Sequence, residues 1–301
     1  MPLFSFNRHG QGDGHRHNYQ APNGGLPTYN QAAACPEPNY AFSPTKNASV
    51  DKFELGRTFQ RQFPPERHLA NLAPQDMARL QDHGLASHQF VFPPLFGRRN
   101  TPTEMYDYGQ GPNNVIFTSP TSFRFQYELD SCVQTDLPLP STILDHYELD
   151  SYEVTIRSKA ANTVVAVGLA TRPYPPFRLP GWNAESVGYH SDDGRKYYND
   201  PEGGRDYGPP FGQGDTIAVQ YCKSPGQVVF YKNQQPLGIA FSNIRAPLFP
   251  TVGADGPCEL SVRFFPSQRS PDNAGPAPAY QPTGGFPQRD NDNLPPPAYT
   301  S

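Results

Sequence analysis

Between about residue 84 and residue 266, apolar and polar positions alternate in short runs. Phe123, Phe125 and Tyr127 are each separated by one polar residue, as are Tyr152, Val154 and Ile156. Successive side chains of an extended chain point to opposite faces, so each run predicts a strand with one buried face. The stretch from Val164 to Leu169 is almost wholly apolar and suits a central strand covered on both sides. Further runs at 216–221, 227–231, 248–252 and 259–265 are divided by turn-forming segments such as SPGQ from Ser224 and KNQQP from Lys232. Many short strands with no helical period between them predict an all-β fold, an antiparallel β-sandwich whose core includes Val167 and Phe230.

The flanks read differently. Residues 1–65 are rich in Gly, Asn, Gln, His and Pro with no sustained periodicity, and are expected to be disordered because they bury too little apolar area to offset the entropy of ordering. Residues 66–83 form a short helical lead-in. There PQDMARLQDHG has Pro74 and Asp76 early, Met77 and Leu80 three apart, and Gly84 as a stop. Residues 267–301 are expected to form a disordered Pro-rich tail. The whole chain has 37 prolines and 26 glycines in 301 residues, which leaves one domain's worth of foldable sequence.

Charge and chemistry exclude several classes. A net charge of −4 leaves no electrostatic footprint for nucleic acid, and the close basic pair Arg98 and Arg99 reads as a solvated loop. Cys35, Cys132, Cys222 and Cys258 have no CxxC pairing or metal-ligand rhythm, and nothing at the N-terminus reads as a signal peptide. Reduced thiols in the cytoplasm are the expectation. The longest apolar stretch, Val164 to Ala170, is far short of the roughly 20 residues of a membrane-spanning helix. Catalysis finds no support either. His190, Ser191 and Asp192 are consecutive and alternate in direction on a strand, so they cannot relay a proton, and GQGDG at Gly10 lacks the strand and helix of a phosphate cradle. His9, His15 and His17 have no Cys or carboxylate partners to complete a metal site. No catalytic residue, cofactor or metal is expected.

The tail carries a binding motif. Pro295, Pro296, Pro297, Ala298 and Tyr299 spell a PPxY peptide. Consecutive prolines fix φ and hold the segment near polyproline II, so docking orders little that is not already ordered. A WW domain offers an aromatic groove for the Pro296 and Pro297 rings and a second pocket for Tyr299. Leu26, Pro27, Thr28 and Tyr29 differ only at the first position and form a possible second site; chance occurrence in a Pro- and Tyr-rich segment is the competing account.

Four ordered blocks carry a family resemblance. GWNAESVGYHSDDGRKYYND from Gly181, YGPPFGQGDTIAVQY from Tyr207, VVFYKNQQPLGIAF from Val228 and LFPTVGADGPCELSVRFF from Leu248 resemble successive parts of a SPRY domain. With SCVQTDLPLP from Ser131, VAVGLATRPYPPFRLPGW from Val165 and the PPPAY tail, the chain is similar to the fungal SPRY-domain PY-motif adaptors of Nedd4-type HECT ubiquitin ligases. That resemblance implies an adaptor that binds membrane-protein or peptide cargo through its SPRY domain, at residues 84–266, and recruits the WW domains of the ligase. It also implies a place at endosomal or vacuolar membranes, where such adaptors send cargo into multivesicular bodies. Those adaptors usually carry an N-terminal membrane span, which this sequence does not show; either the chain is a soluble relative, or it reaches membranes through cargo or its ligase. By the same resemblance, loops at one edge of the sandwich contact cargo. Loops 174–182, 197–207 and 232–236 are therefore candidates, with Trp182, Tyr197, Tyr198, Arg205 and Tyr207 as cargo-binding residues. Trp182 also reads as core, and the tyrosines as loop packing. Asp192, Asp193 and Gly194 read as a structural turn. The alternative function is a non-catalytic SPRY scaffold subunit of a multi-protein complex.

Overall fold

The alternating runs become strands of two antiparallel sheets. In the computed structural model the described residues are 50–66, 72–93, 114–183, 185–200 and 203–270. Two helices, α1 (Val50–Gln62) and α2 (Pro74–His83), precede the strands β1 (Phe90–Val91), β2 (Val115–Ser119), β3 (Ser122–Phe125), β4 (Ser131–Thr135), β5 (Tyr147–Lys159) and β6 (Val165–Ala170). There follow β7 (Ser186–His190), β8 (Arg195–Tyr198), β9 (Arg205–Asp206), β10 (Thr216–Cys222), β11 (Gln227–Lys232), β12 (Gln235–Phe241), β13 (Phe249–Ala254), β14 (Cys258–Phe264) and β15 (Gln268–Arg269). One sheet has the order β1-β4-β13-β6-β7-β8-β9, and the other β12-β11-β10-β5-β14-β3-β2, with β15 paired to β5.

Register explains the core. On β5, Tyr152 stands opposite Val219 on one side and Phe264 on the other, and Val154 opposite Ile217 and Val262. These cross-strand neighbours share a face, so each row buries as a unit. On the facing sheet Val167 lies between Val252 and Tyr189. All of β6 is buried, as its apolar run predicts. The two layers are tied directly, since the Tyr152 hydroxyl donates to the Gly168 carbonyl at 2.5 Å. Gly168 has no room for a side chain; a Cβ there would stand 1.9 Å from the Val187 carbonyl oxygen.

Two sequence readings are corrected. Tyr127 is 57% exposed, whereas Phe123 and Phe125 are buried. The strand stops at Phe125 because the Asn114 side chain accepts the Tyr127 N–H at 3.0 Å and the chain turns there. Within the stretch 1–65, expected to be disordered, residues 50–62 form α1. Phe59 and Phe63 lie one turn apart with ring centroids 5.1 Å from each other. Phe59 is buried against Phe177, a partner more than a hundred residues away, which no local pattern discloses. The lead-in helix α2 follows its sequence signals: Gly84 ends it at φ 53° with its N–H on the Leu80 carbonyl, and Leu80 packs with Leu137, Leu144 and Tyr147.

At the end of β13, Asp255 accepts the Val164 N–H at 2.6 Å. Burial, reinforced by the charges of Asp130 and Asp192, pushes its carboxyl up from 3.8 to about 6. A folded-state value above the unfolded one means that the native chain holds this proton more tightly. The stabilisation is complete below the unfolded value and is lost as pH rises through about 6. Asp255→Asn keeps an acceptor for Val164 and removes the charge. It should stabilise the chain by about 1 kcal/mol at pH 7.5, allowing for solvent screening of this partly exposed group, and hardly at all at pH 4. Thermal unfolding at the two pH values checks this; equal shifts at both would refute it.

Candidate peptide-binding cleft

One sheet ends in a two-residue edge strand and the other in a seven-residue one, and the two ends come together at Lys196. Strand β9 closes one sheet and β12 the other, at the same side of the sandwich. The β7–β8 hairpin turns at Gly194 (φ 71°), where the Asp193 side chain accepts the Arg195 N–H at 2.9 Å, the turn role expected of Asp193 and Gly194. After β8 the chain turns again through Asn199 (φ 52°), and Asp200 accepts the Gly204 N–H at 3.1 Å. Asn tolerates this left-handed conformation better than other side-chain-bearing residues. Gly204 (φ 62°) is pressed against Tyr197, whose ring would stand 2.8 Å from an added Cβ.

Lys196 joins the two edges. It is buried, and its ammonium donates to the Ala240 carbonyl on β12 at 2.6 Å while lying 5.4 Å from the Tyr207 ring centroid and 5.3 Å from that of Phe241. The aromatic faces and the carbonyl together replace part of its lost hydration. Tyr207 makes a second tie, donating its hydroxyl proton to the Gly238 carbonyl at 2.6 Å and accepting the Phe230 N–H at 3.2 Å. Above this floor opens a cleft of about 480 Å³, lined by Lys196, Tyr198, Asp200, Arg205, Phe241 and Ile244 among others. Tyr198, 44% exposed, tilts toward Phe241 at 5.8 Å between centroids. One wall is therefore aromatic, and an exposed guanidinium and a carboxylate stand at the rim. Such a cleft can grip an apolar side chain and hydrogen-bond the flanking peptide.

The residues expected to contact cargo are divided by the fold. Tyr198 and Arg205 line the cleft. Tyr207 supports it from beneath. Tyr197 is fully buried, stacked on His190 at 4.0 Å with its hydroxyl bonded to Asp193 at 3.0 Å. Burial and the neighbouring Asp193 charge raise its hydroxyl's pKa. Trp182 is 5% exposed and packs with Ala166, Leu179 and Tyr197, the core role of its two readings. The tip of the β11–β12 hairpin, Asn233 and Gln234 at positive φ, lies outside the cleft lining. Sequence reasoning missed Lys196 and Phe241, and included Asp200 only as part of loop 197–207. The alternation of β8 puts Lys196 and Tyr198 on one face, a usable signal, but nothing local places Phe241 opposite them. Pro296, Pro297 and Tyr299, and Leu26, Pro27 and Tyr29, lie outside the described residues. Among the described residues, no group of acidic, His or Cys side chains could hold a metal ion, and no helix is long and apolar enough to cross a membrane.

Two antiparallel sheets with a cleft between two of their edge strands form a sandwich of the SPRY type. Residues 151–267 match the SPRY domain, and the chain carries one. It is similar to fungal SPRY-domain proteins. It is 32% identical over 217 residues to Protein ssh4 of Aspergillus clavatus, covering 72% of this chain and 38% of that protein. It is also 34% identical over 192 residues to a SPRY domain-containing protein of Schizosaccharomyces pombe, covering 63% of this chain and 44% of that one. The chain thus spans about two-fifths of the length of these relatives. Among solved structures, a human SPRY domain matches at 25% identity with a TM-score of 0.44, covering 50% of this chain and 94% of that one.

Proposed function

We propose that the chain is a substrate adaptor. Its SPRY domain takes a peptide segment of a membrane-protein target into the cleft beside Tyr198, Arg205 and Phe241. The PPxY motif at Pro296, Pro297 and Tyr299 recruits the WW domains of a Nedd4-type HECT ubiquitin ligase, with Leu26, Pro27 and Tyr29 as a second docking peptide. The ligase then ubiquitinates the target, which is sorted through endosomes toward the vacuole. The observation that carries this reading is the joining of two separable binding chemistries in one chain: an aromatic cleft built on the sandwich edge, and a PPxY sequence outside the SPRY domain. Resemblance to the fungal SPRY-domain PY-motif adaptors supports it.

Quantitative affinity capture tests it with the full chain. Tyr198→Ala/Arg205→Ala should reduce recovered cargo by about tenfold, since both groups sit at the mouth of the cleft, where contact energy concentrates. Both side chains are substantially exposed, so the unfolding midpoint should hardly move. Ligase recovery should be unchanged. Tyr299→Ala should show the converse pattern. If the double variant captured the same proteins at the same yield as the parent, the cleft would not be the cargo site.

A further inference from the structure

Helix α1 is seated on the loop between β6 and β7. Phe59, 3% exposed, meets Phe177 edge-on at 6.1 Å between centroids, and the Glu66 N–H donates to the Arg172 carbonyl at 2.8 Å. At Gly56 the helix backbone comes so close that a Cβ would lie 3.0 Å from the Asn183 amide and 3.4 Å from Arg178 Nε.

Beneath that contact the polar chemistry is lopsided. Arg178 is fully buried; its Nε donates to Asn183 Oδ1 at 2.9 Å, and its guanidinium carbon lies 4.7 Å from the Trp182 ring centroid. Its Nη1 has no acceptor. Nor has Nε1 of Trp182, nor Nε2 of Gln60, one turn on from Gly56 on the same side of α1. All three groups are donors. Burial lowers the pKa of Arg178 against the opposing pull of Tyr174 and Asp130, so desolvation outweighs the acidic neighbours it has. Leaving a buried donor unsatisfied costs more than making its bond gains, and the cost is greatest for a charged one. Helix α1 supplies the aromatic anchor this surface accepts, but places no acceptor on Arg178 Nη1.

We propose that the β6–β7 loop is a second ligand site, for a peptide segment that pairs an aromatic side chain with a carboxylate, and that α1 is its occupant within the chain. The aromatic ring would take the place of Phe59 on Phe177, and the carboxylate would accept from Arg178 Nη1. The site is separate from the cleft at β8, β9 and β12 and does not depend on its role.

Trp182 is the only tryptophan of the sequence and touches Arg178, so its fluorescence reports on this surface. The full chain carrying Phe59→Ala, which loosens α1 without altering the loop, is titrated with two synthetic peptides. One has the chain's own residues 50–66 and the other the same residues with Gln60→Glu. The carboxylate peptide should bind about tenfold tighter, as a charge-assisted bond to Arg178 Nη1 replaces a neutral amide that makes none. Arg178→Gln in the protein should erase that preference. In a chain that is otherwise unaltered, Gln60→Glu should slow amide hydrogen exchange of α1 by a similar factor, a readout that needs no disruptive change. Equal affinity of the two peptides, no saturable change at Trp182 with either, or unaltered exchange in the Gln60→Glu chain would each overturn the proposal.

Discussion

Tyr299→Ala is expected to weaken binding to an isolated WW domain by more than about 30-fold while leaving the unfolding of the sandwich unchanged. A PPxY contact buries little area and depends on one ring filling one pocket, so truncating that ring removes a hot spot of at least about 2 kcal/mol. The prolines remain, but consecutive prolines without the tyrosine give position rather than affinity. If Leu26, Pro27 and Tyr29 form a second docking peptide, two contacts on a ligase with linked WW domains raise avidity by on the order of 10². Tyr29→Ala should then weaken binding to the linked set and scarcely affect a single WW domain that holds the PPxY peptide. Titrating the parent, both single variants and the double variant against one WW domain and against the linked set separates these cases. Undiminished binding of the Tyr299 variant to both targets would end the adaptor reading, and indifference of the linked set to Tyr29 would remove the second site alone.

Phe230→Ala is expected to cost roughly 3 to 5 kcal/mol, a large share of the stability of a single domain. Phe230 is fully buried in the main core, tilted against Tyr189 at 5.5 Å and edge-on to Tyr207 at 5.9 Å. Its removal leaves a void that the β10–β11 ladder holds open, because six residue pairs fix the two strands. The effect should reach the cleft. Tyr207 both packs on Phe230 and pins Gly238 on the edge strand, so a loosened Tyr207 frees the floor on which Lys196 and Phe241 stand. Urea denaturation measures the first effect, and hydrogen exchange of β12 amides the second. Val167→Ala, which leaves a smaller void on the opposite sheet, is expected to cost about 2 kcal/mol. Losses below about 1 kcal/mol at both positions would mean that neither side chain supports the core.

How far the fold was legible follows from which interactions are local. The rows Tyr152, Val154, Ile156 and Val165 to Ala170 were readable because strand burial has a period of two, or an unbroken apolar run, which the chain itself displays. Asp193 and Gly194 were readable as a turn, and Gly84 as a helix stop, since backbone conformation there is set by the residue's own chemistry. Tyr127 misled because alternation continued past the point where Asn114, eleven or more residues upstream, turned the chain. Helix α1 was missed because its burial rests on Phe177 and Arg178, and an amphipathic stripe in polar sequence has no meaning until its partner surface is known.

The candidate site divides in the same way. The sequence by itself determined the sandwich, its main strands, the aromatic and basic cluster at 197–207 and the PPxY peptide, because propensity, period and short motifs reside in neighbouring residues. Only the tertiary structure decided which of those aromatics face outward: Tyr198 and Arg205 into the cleft, Tyr197 and Trp182 into the interior. It alone brought Phe241 beside Tyr198, bridged two sheets through Lys196 and laid α1 over Arg178. These pairings join residues some forty to more than a hundred positions apart, and such contacts are selected by the packing of whole sheets rather than by any preference written into the segments that meet.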